Sequence, residues 1–134
     1  MAKISLIVPV LNEVQKIDGF LNQLKGLPGD WEAIFADGGS TDGTTEKITA
    51  HYPVIHAPKG RARQMNEGAH HASGEVFLFL HCDSLIPQDL YAQVEEVIKQ
   101  RLFLWLLSHP LLTVVIHGCA AVPFVLICVS DCVK

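Results

Sequence analysis

Ala33-Ile34-Phe35-Ala36-Asp37-Gly38-Gly39-Ser40-Thr41-Asp42-Gly43-Thr44 joins an apolar run to a carboxylate, two glycines and a string of hydroxyls. A strand that stops on an acid and passes through glycines into a hydroxyl-capped helix builds a nucleotide pocket. The acid holds a base or ribose while exposed amides face phosphate. The same residues also suit a plain tight turn, where Asp and Gly serve only the backbone. Asp42 reads as a helix-start carboxylate that complements the macrodipole.

The segments on either side extend this unit into a repeating pattern. Upstream, Ile4 to Val10 is a continuous apolar run, as expected for a strand buried on both faces. Asn12 is positioned to cap the next segment, where Val14, Ile17, Phe20, Leu21 and Leu24 recur at helical spacing until Gly26 and Pro28. Trp31 to Ala36 reads as the second strand, and Ser40 or Thr41 as the cap of a short helix ending near Ala50. Downstream, Val54 to His56 predicts a third strand. Gly60 to Ala72 predicts a helix with Ala62, Met65 and Ala69 on one side, and Val76 to Leu80 a fourth strand. Pro87 then opens a helix carrying Leu90, Tyr91, Val94, Val97 and Ile98. Strict β-α alternation demands right-handed crossovers and a mostly parallel sheet covered by helices.

Ligands of such sheets bind at the carboxyl ends of the strands. Asn12-Glu13, Asp37 to Thr44 and His81 to Ser84 all fall there. His81 and Asp83 are two residues apart, on one side of an extended chain, and combine a hard oxygen donor with an imidazole suited to borderline metals such as manganese. Taken alone, the pair is better explained as an ordinary polar strand end. Arg61 and Arg63 follow Gly60, where guanidinium groups can pair with diphosphate or base oxygens, although a solvated helix start explains one of them. His70 and His71 point different ways on a helix and carry no metal role.

In their order and spacing, Val8-Pro9-Val10-Leu11-Asn12-Glu13, Asp37 to Thr44, Gly60-Arg61-Ala62-Arg63-Gln64-Met65-Asn66 and Phe79-Leu80-His81-Cys82-Asp83-Ser84 resemble family 2 glycosyltransferases. The Arg-Ala-Arg-Gln-Met-Asn segment, with His-x-Asp in place of Asp-x-Asp, looks most like the branch associated with arsenosugar biosynthesis. The resemblance covers about Lys3 to Gln100. It implies a Rossmann-like GT-A fold whose nucleotide-sugar donor lies across the strand ends. By position, it implies that Pro9 and Glu13 border the nucleoside, Asp37 holds the base, and Arg61 or Arg63 contacts base or diphosphate. Asp83, with His81, would hold Mn²⁺ or Mg²⁺ between the phosphates. Members of the family continue into an acceptor-binding half with an acidic base. After Glu96 this chain offers only Asp131, so no catalytic base is nominated and the acceptor is unknown.

A chain of 134 residues has room for one modest domain. Its net charge of −4 and three arginines argue against nucleic-acid partners. The N-terminus is polar too soon for a secretory signal, so the cytoplasm is the expected compartment. The four cysteines lack paired zinc spacing and read as free thiols.

Composition changes after Arg101, and residues 102–130 contain no Asp, Glu, Lys or Arg. The expected division is a nucleotide-sugar-binding half over 1–101 and an apolar tail over 102–134. Three readings of the tail compete: a membrane segment, a buried pair of elements completing the sheet, and non-native sequence from a frameshift or truncation. The loss of both charge and family pattern favours the third. An apolar tail of this size also invites membrane contact or self-association.

Overall fold

The computed structural model describes residues 3–105, 113–116 and 125–129. Its elements are β1 (Ile4–Val10), α1 (Val14–Lys25), β2 (Trp31–Asp37), α2 (Thr44–Thr49), β3 (Val54–His56), α3 (Arg61–His71), β4 (Val76–Phe79), α4 (Leu90–Trp105), β5 (Thr113–Ile116) and β6 (Val125–Val129). The sheet order is β3-β2-β1-β4-β6-β5. The first four strands run parallel, with Val10 level with Asp37 and Ile7 level with Phe79. β6 pairs antiparallel with β4, and β5 antiparallel with β6. The described parts of the tail are two strands that continue the sheet. Among the described residues, no helix is long and apolar enough to cross a membrane. The Val97 and Ile98 side chains lie outside the described residues.

Alternation along β1 builds two cores. Ile4, Leu6, Val8 and Val10 pack with Ile17, Phe20, Leu21 and Leu24 of α1, Ile48 of α2, and Tyr91 and Val94 of α4. On the opposite face, Ile7, Ile34 and Phe77 meet Ala69 of α3 and Ala72 just beyond it. Helices therefore cover both faces of the parallel sheet, as its apolar strands require.

α3 corrects one sequence expectation. Ala62 is exposed and Met65 only partly buried, while Gln64, Gly68 and Ala69 form the buried stripe. The reason lies at Gly68, where an added Cβ would fall inside 3.0 Å of Ile7 Cγ2, closer than real side chains approach. The helix lies against β1 through the one residue without a side chain.

The helix starts also differ from expectation. Asn12 adopts φ 52° and does not cap α1. Its Oδ1 instead accepts the Thr41 amide at 2.9 Å, while its own amide donates to Ser40 Oγ at 2.9 Å. This exchange occupies Ser40 and Thr41, so α2 starts later, after Gly43 at φ 94°. The α1 entry is served from the same loop. Glu13 N donates to Thr44 Oγ1 at 2.9 Å and Val14 N to Asp42 Oδ2 at 3.2 Å. Asp42 also accepts the Thr44 hydroxyl, which with the Val14 and Thr44 amides lowers its pKa.

At the other end of the sheet, Ser5, fully buried, donates to Glu32 Oε1 at 2.6 Å. The Ser73 amide reaches the same oxygen at 2.7 Å, and Lys3 Nζ lies 3.2 Å from Oε2. Burial would raise the Glu32 carboxyl, but the bonds from Ser5, Ser73 and Lys3 outweigh it and hold the pKa at about 2, against an ordinary 4.5. A carboxyl depressed on folding adds stability that is full above its unfolded pKa and lost as pH falls through the folded one. Thermal unfolding should therefore show a stability loss between pH 4.5 and about 2. Glu32→Gln should flatten the curve in that window, and an unchanged slope would remove Glu32 from the account.

Candidate functional site

A cavity of about 670 Å³ opens at the carboxyl ends of β1 and β4. Pro9, Val10, Leu11 and Glu13 form its β1 wall, Lys59, Gly60, Arg61 and Gln64 its α3 wall, and His81 to Ser84 the wall beyond β4. Pro9, Glu13, Arg61, His81 and Asp83, which are far apart in sequence, thus share one cleft. Two other sequence candidates are not among its lining residues. Arg63 is exposed at the start of α3, its stem over Gly60. Asp37 is only 2% exposed, and its carboxylate is engaged by its own loop. Oδ2 accepts the Gly39 amide at 3.0 Å and the Ser40 amide at 3.1 Å, and Oδ1 accepts the Ser40 amide at 3.2 Å.

The segment after β4 is not extended, as the His81–Asp83 spacing had suggested. The chain turns there, with the Ser84 amide donating to the His81 carbonyl at 3.0 Å. The turn buries Cys82, half-buries His81 and leaves the Asp83 side chain 62% exposed at the cavity rim. Leu80 and Cys82 lie in the core on either side of the half-buried His81, and Ser84 is buried beyond the turn.

Lys16 on α1 crosses the mouth, with Nζ 3.7 Å from Glu13 Oε2 and 3.9 Å from Asp83 Oδ2. Burial and the Arg61 charge lower the His81 pKa against the opposing pull of Asp83 and Glu13, which leaves a neutral imidazole at pH 7. Burial, with Glu13 and Asp83 nearby, pushes the Cys82 thiol up to about 12. That thiol stays protonated and is no nucleophile.

A neutral imidazole beside a rim carboxylate is a donor set compatible with Mn²⁺ or Mg²⁺. Among the described residues no group of three or more His, Cys, Asp or Glu is placed to hold an ion. A cation held by His81 and Asp83 would need further ligands that the described residues do not supply, such as water, which Mg²⁺ commonly retains.

Sequence reasoning missed Gln64 as a lining residue, although it stood inside the quoted arginine segment. It is 4% exposed, and its Nε2 donates to the Val10 carbonyl at 2.8 Å and the Ala36 carbonyl at 2.9 Å. The available signal was a polar residue four positions before Gly68, on the face that meets the strands.

Parallel strands with crossover helices, and a polar cleft across the ends of the first and fourth, define a GT-A-type nucleotide-binding fold. Residues 5–104 match the family described as Glycosyl transferase family 2, and the chain belongs to that family. It is similar to the dolichol-phosphate mannosyltransferase of Pyrococcus furiosus, 31% identical over 108 residues, which are 72% of this chain and 30% of that protein. It is also similar to a PGL/p-HBAD biosynthesis glycosyltransferase of Mycobacterium bovis, 34% identical over 106 residues, 72% of this chain and 41% of that one. Among solved structures, the mannosyltransferase PcManGT from Pyrobaculum calidifontis, in complex with GDP-Man and Mn²⁺, superposes with a TM-score of 0.63 at 25% identity. That match covers 84% of this chain and 34% of that one. TarS 1-349 of S. aureus gives a TM-score of 0.62 at 26% identity, covering 73% and 32%. The chain thus spans well under half the length of these relatives.

Proposed function

We propose that the cleft binds a nucleotide-diphosphate-sugar and that the chain contributes the donor half of a metal-dependent transfer of the sugar to an acceptor hydroxyl. The observation that carries this reading is the convergence of Pro9, Glu13, Arg61, His81 and Asp83 on one cavity. The GDP-Man and Mn²⁺ complex of PcManGT and the UDP-GlcNAc complex of TarS support it. Pro9 and Glu13 border the nucleoside, Arg61 faces the diphosphate, and Arg63 serves at the rim. Asp37 acts from beneath, through the loop it organises. The Arg-Ala-Arg-Gln-Met-Asn segment and the His-x-Asp triplet support the arsenosugar-associated branch.

Asp83, with neutral His81, would hold a Mn²⁺ or Mg²⁺ ion. When bound, such an ion stabilises the charge that builds on the departing diphosphate. The chain's own contribution is to orient the donor. Arg61 neutralises phosphate oxygens, the Pro9–Leu11 wall excludes water from one side, and the Lys16 ammonium offsets the negative charge of Glu13 and Asp83 at the mouth.

Nucleotide binding without turnover is the second reading. It is favoured by the cavity's own carboxylates, Glu13 and Asp83, both lying within 4.0 Å of Lys16 rather than standing as a free base. Asp83→Ala is expected to abolish the Mn²⁺ dependence of nucleotide binding, measured by calorimetry with and without the ion. An unchanged manganese titration would overturn the metal assignment. Metal-dependent donor hydrolysis or transfer by the native chain, absent from Asp83→Ala, would eliminate binding without turnover.

A further inference from the structure

Gln64 carries an acceptor, Oε1, that no described residue pairs, on a side chain that is otherwise buried. Its Nε2 has two hydrogens, and both are committed to the carbonyls of Val10 and Ala36. Rotating the amide by half a turn would set its oxygen against those two carbonyl oxygens, so the hydrogen bonds fix which atom lies where. No described residue donates to Oε1, yet no buried side-chain oxygen among the described residues is left both sealed from solvent and unpaired. Gln64 lines the cavity. Oε1 therefore reaches solvent from the cavity wall, as a neutral acceptor on a side chain that is 4% exposed.

Several other acceptors at this end already have partners. The Val10 carbonyl already takes the Gly38 amide and Gln64. The Asp37 carboxylate holds its loop, and Glu13 and Asp83 lie beside Lys16. The side chain is also closely packed. Its amide packs on Gly38, where an added Cβ would come within 2.9 Å of the Gln64 amide carbon.

We propose that Gln64 Oε1 accepts a hydrogen bond from a ring N–H of the nucleobase and so selects lactam bases, uracil or guanine, over cytosine and adenine. This rests on the donor-binding reading above. The base is assigned to this end because Gln64 bridges the ends of β1 and β2, whereas the rim carboxylate and imidazole suited to the diphosphate end lie beyond β4. Uracil N3 and guanine N1 carry a hydrogen, while the corresponding cytosine and adenine nitrogens are acceptors and would face Oε1 lone pair to lone pair. A site built to accept a hydrogen bond rejects ligands that lack the donor, because the acceptor loses its water when the base covers it and is then left unpaired.

The experiment titrates UDP, GDP, CDP and ADP into the full chain with Mn²⁺ present. N3-methyl-UDP, N1-methyl-GDP and 2′-deoxy-UDP are added as chemical probes that leave the protein unaltered. UDP or GDP should bind at least about tenfold more tightly than CDP and ADP, and methylation of the ring nitrogen should remove that advantage. Gln64→Met, similar in volume, should shrink the gap between UDP and N3-methyl-UDP if it folds; the ligand series stands without it. Equal affinity for methylated and unmethylated bases overturns the inference alone. So does a loss confined to 2′-deoxy-UDP, which would assign Oε1 to the ribose. Failure of all four nucleotides to bind overturns the donor-binding reading and this inference together.

Discussion

Gly68→Ala is expected to destabilise the protein by about 1–3 kcal/mol, the usual cost of forcing a methyl group into a packed interior. In an exposed helix the same change would stabilise, since glycine in a helix costs about 1 kcal/mol relative to alanine. The predicted sign is therefore opposite to propensity. It follows from Ile7 Cγ2, which an added Cβ would meet inside 3.0 Å, on a strand residue with no exposure of its own. Gly68→Val should cost more, because two further carbons face the same wall. Urea unfolding checks both variants. An Ile7→Ala partner identifies the cause: in the double variant the penalties should fall short of their sum by about 1 kcal/mol, as expected for groups in contact. Native stability in Gly68→Ala would show that the helix can step away from the sheet. The consequence reaches the cavity, because Gly68 lies one turn along α3 from Gln64 and two from Arg61. Shifting the helix off β1 should weaken nucleotide binding in variants that still fold.

The strands and the order of elements were legible because each is written in local apolar runs: Ile4 to Val10 and Val76 to Leu80 need no partner to be read. The coming together of Glu13, His81 and Asp83 in one cleft was legible through the rule that ligands meet parallel strands at their carboxyl ends, whereas Asp37, expected there by the same rule, lies beneath its own loop and is not among the lining residues. What escaped were choices made by tertiary contact. Hydrophobic spacing on α3 pointed to Ala62 and Met65, whereas the buried face was set by the missing side chain of Gly68 and by carbonyls at two strand ends that satisfy Gln64. Asn12 has the composition of a cap, yet a loop distant in sequence takes its side chain and caps α1 in its stead. The turn at His81 to Ser84 was hidden for a related reason. Alternation of buried and exposed residues continues from Leu80 through Asp83, and only the Ser84 amide bonded to the His81 carbonyl shows that the chain has left the strand. Residues 102–134 gave no periodic signal that separates strand from helix, and the antiparallel pairing of β6 with β4 depends on partners that no local pattern names.

Asp37→Ala is the second large expected effect: a loss of about 2 kcal/mol in stability together with weaker nucleotide binding. The carboxylate is buried and accepts the amides of Gly39 and Ser40. Hydrogen bonds to a charged acceptor contribute about 1.5–3 kcal/mol, and hydration of the exposed Gly39 amide offsets part of the loss. The effect on binding passes through the loop. Ser40 Oγ holds the Asn12 amide, Asn12 Oδ1 holds the Thr41 amide, and Thr44 Oγ1 holds the amide of Glu13, which lines the cavity. Freeing Ser40 loosens each of these in turn. Asp37→Asn should fall between the two, because an amide oxygen can take the Oδ2 position and keep its two bonds, while the amide nitrogen then sits where the Ser40 amide had a second acceptor. Thermal unfolding and nucleotide calorimetry on both variants decide the case. A graded loss, Ala greater than Asn, in stability and affinity together is the expected pattern. Reduced affinity at native stability in both variants would instead mean that the carboxylate meets the nucleotide directly.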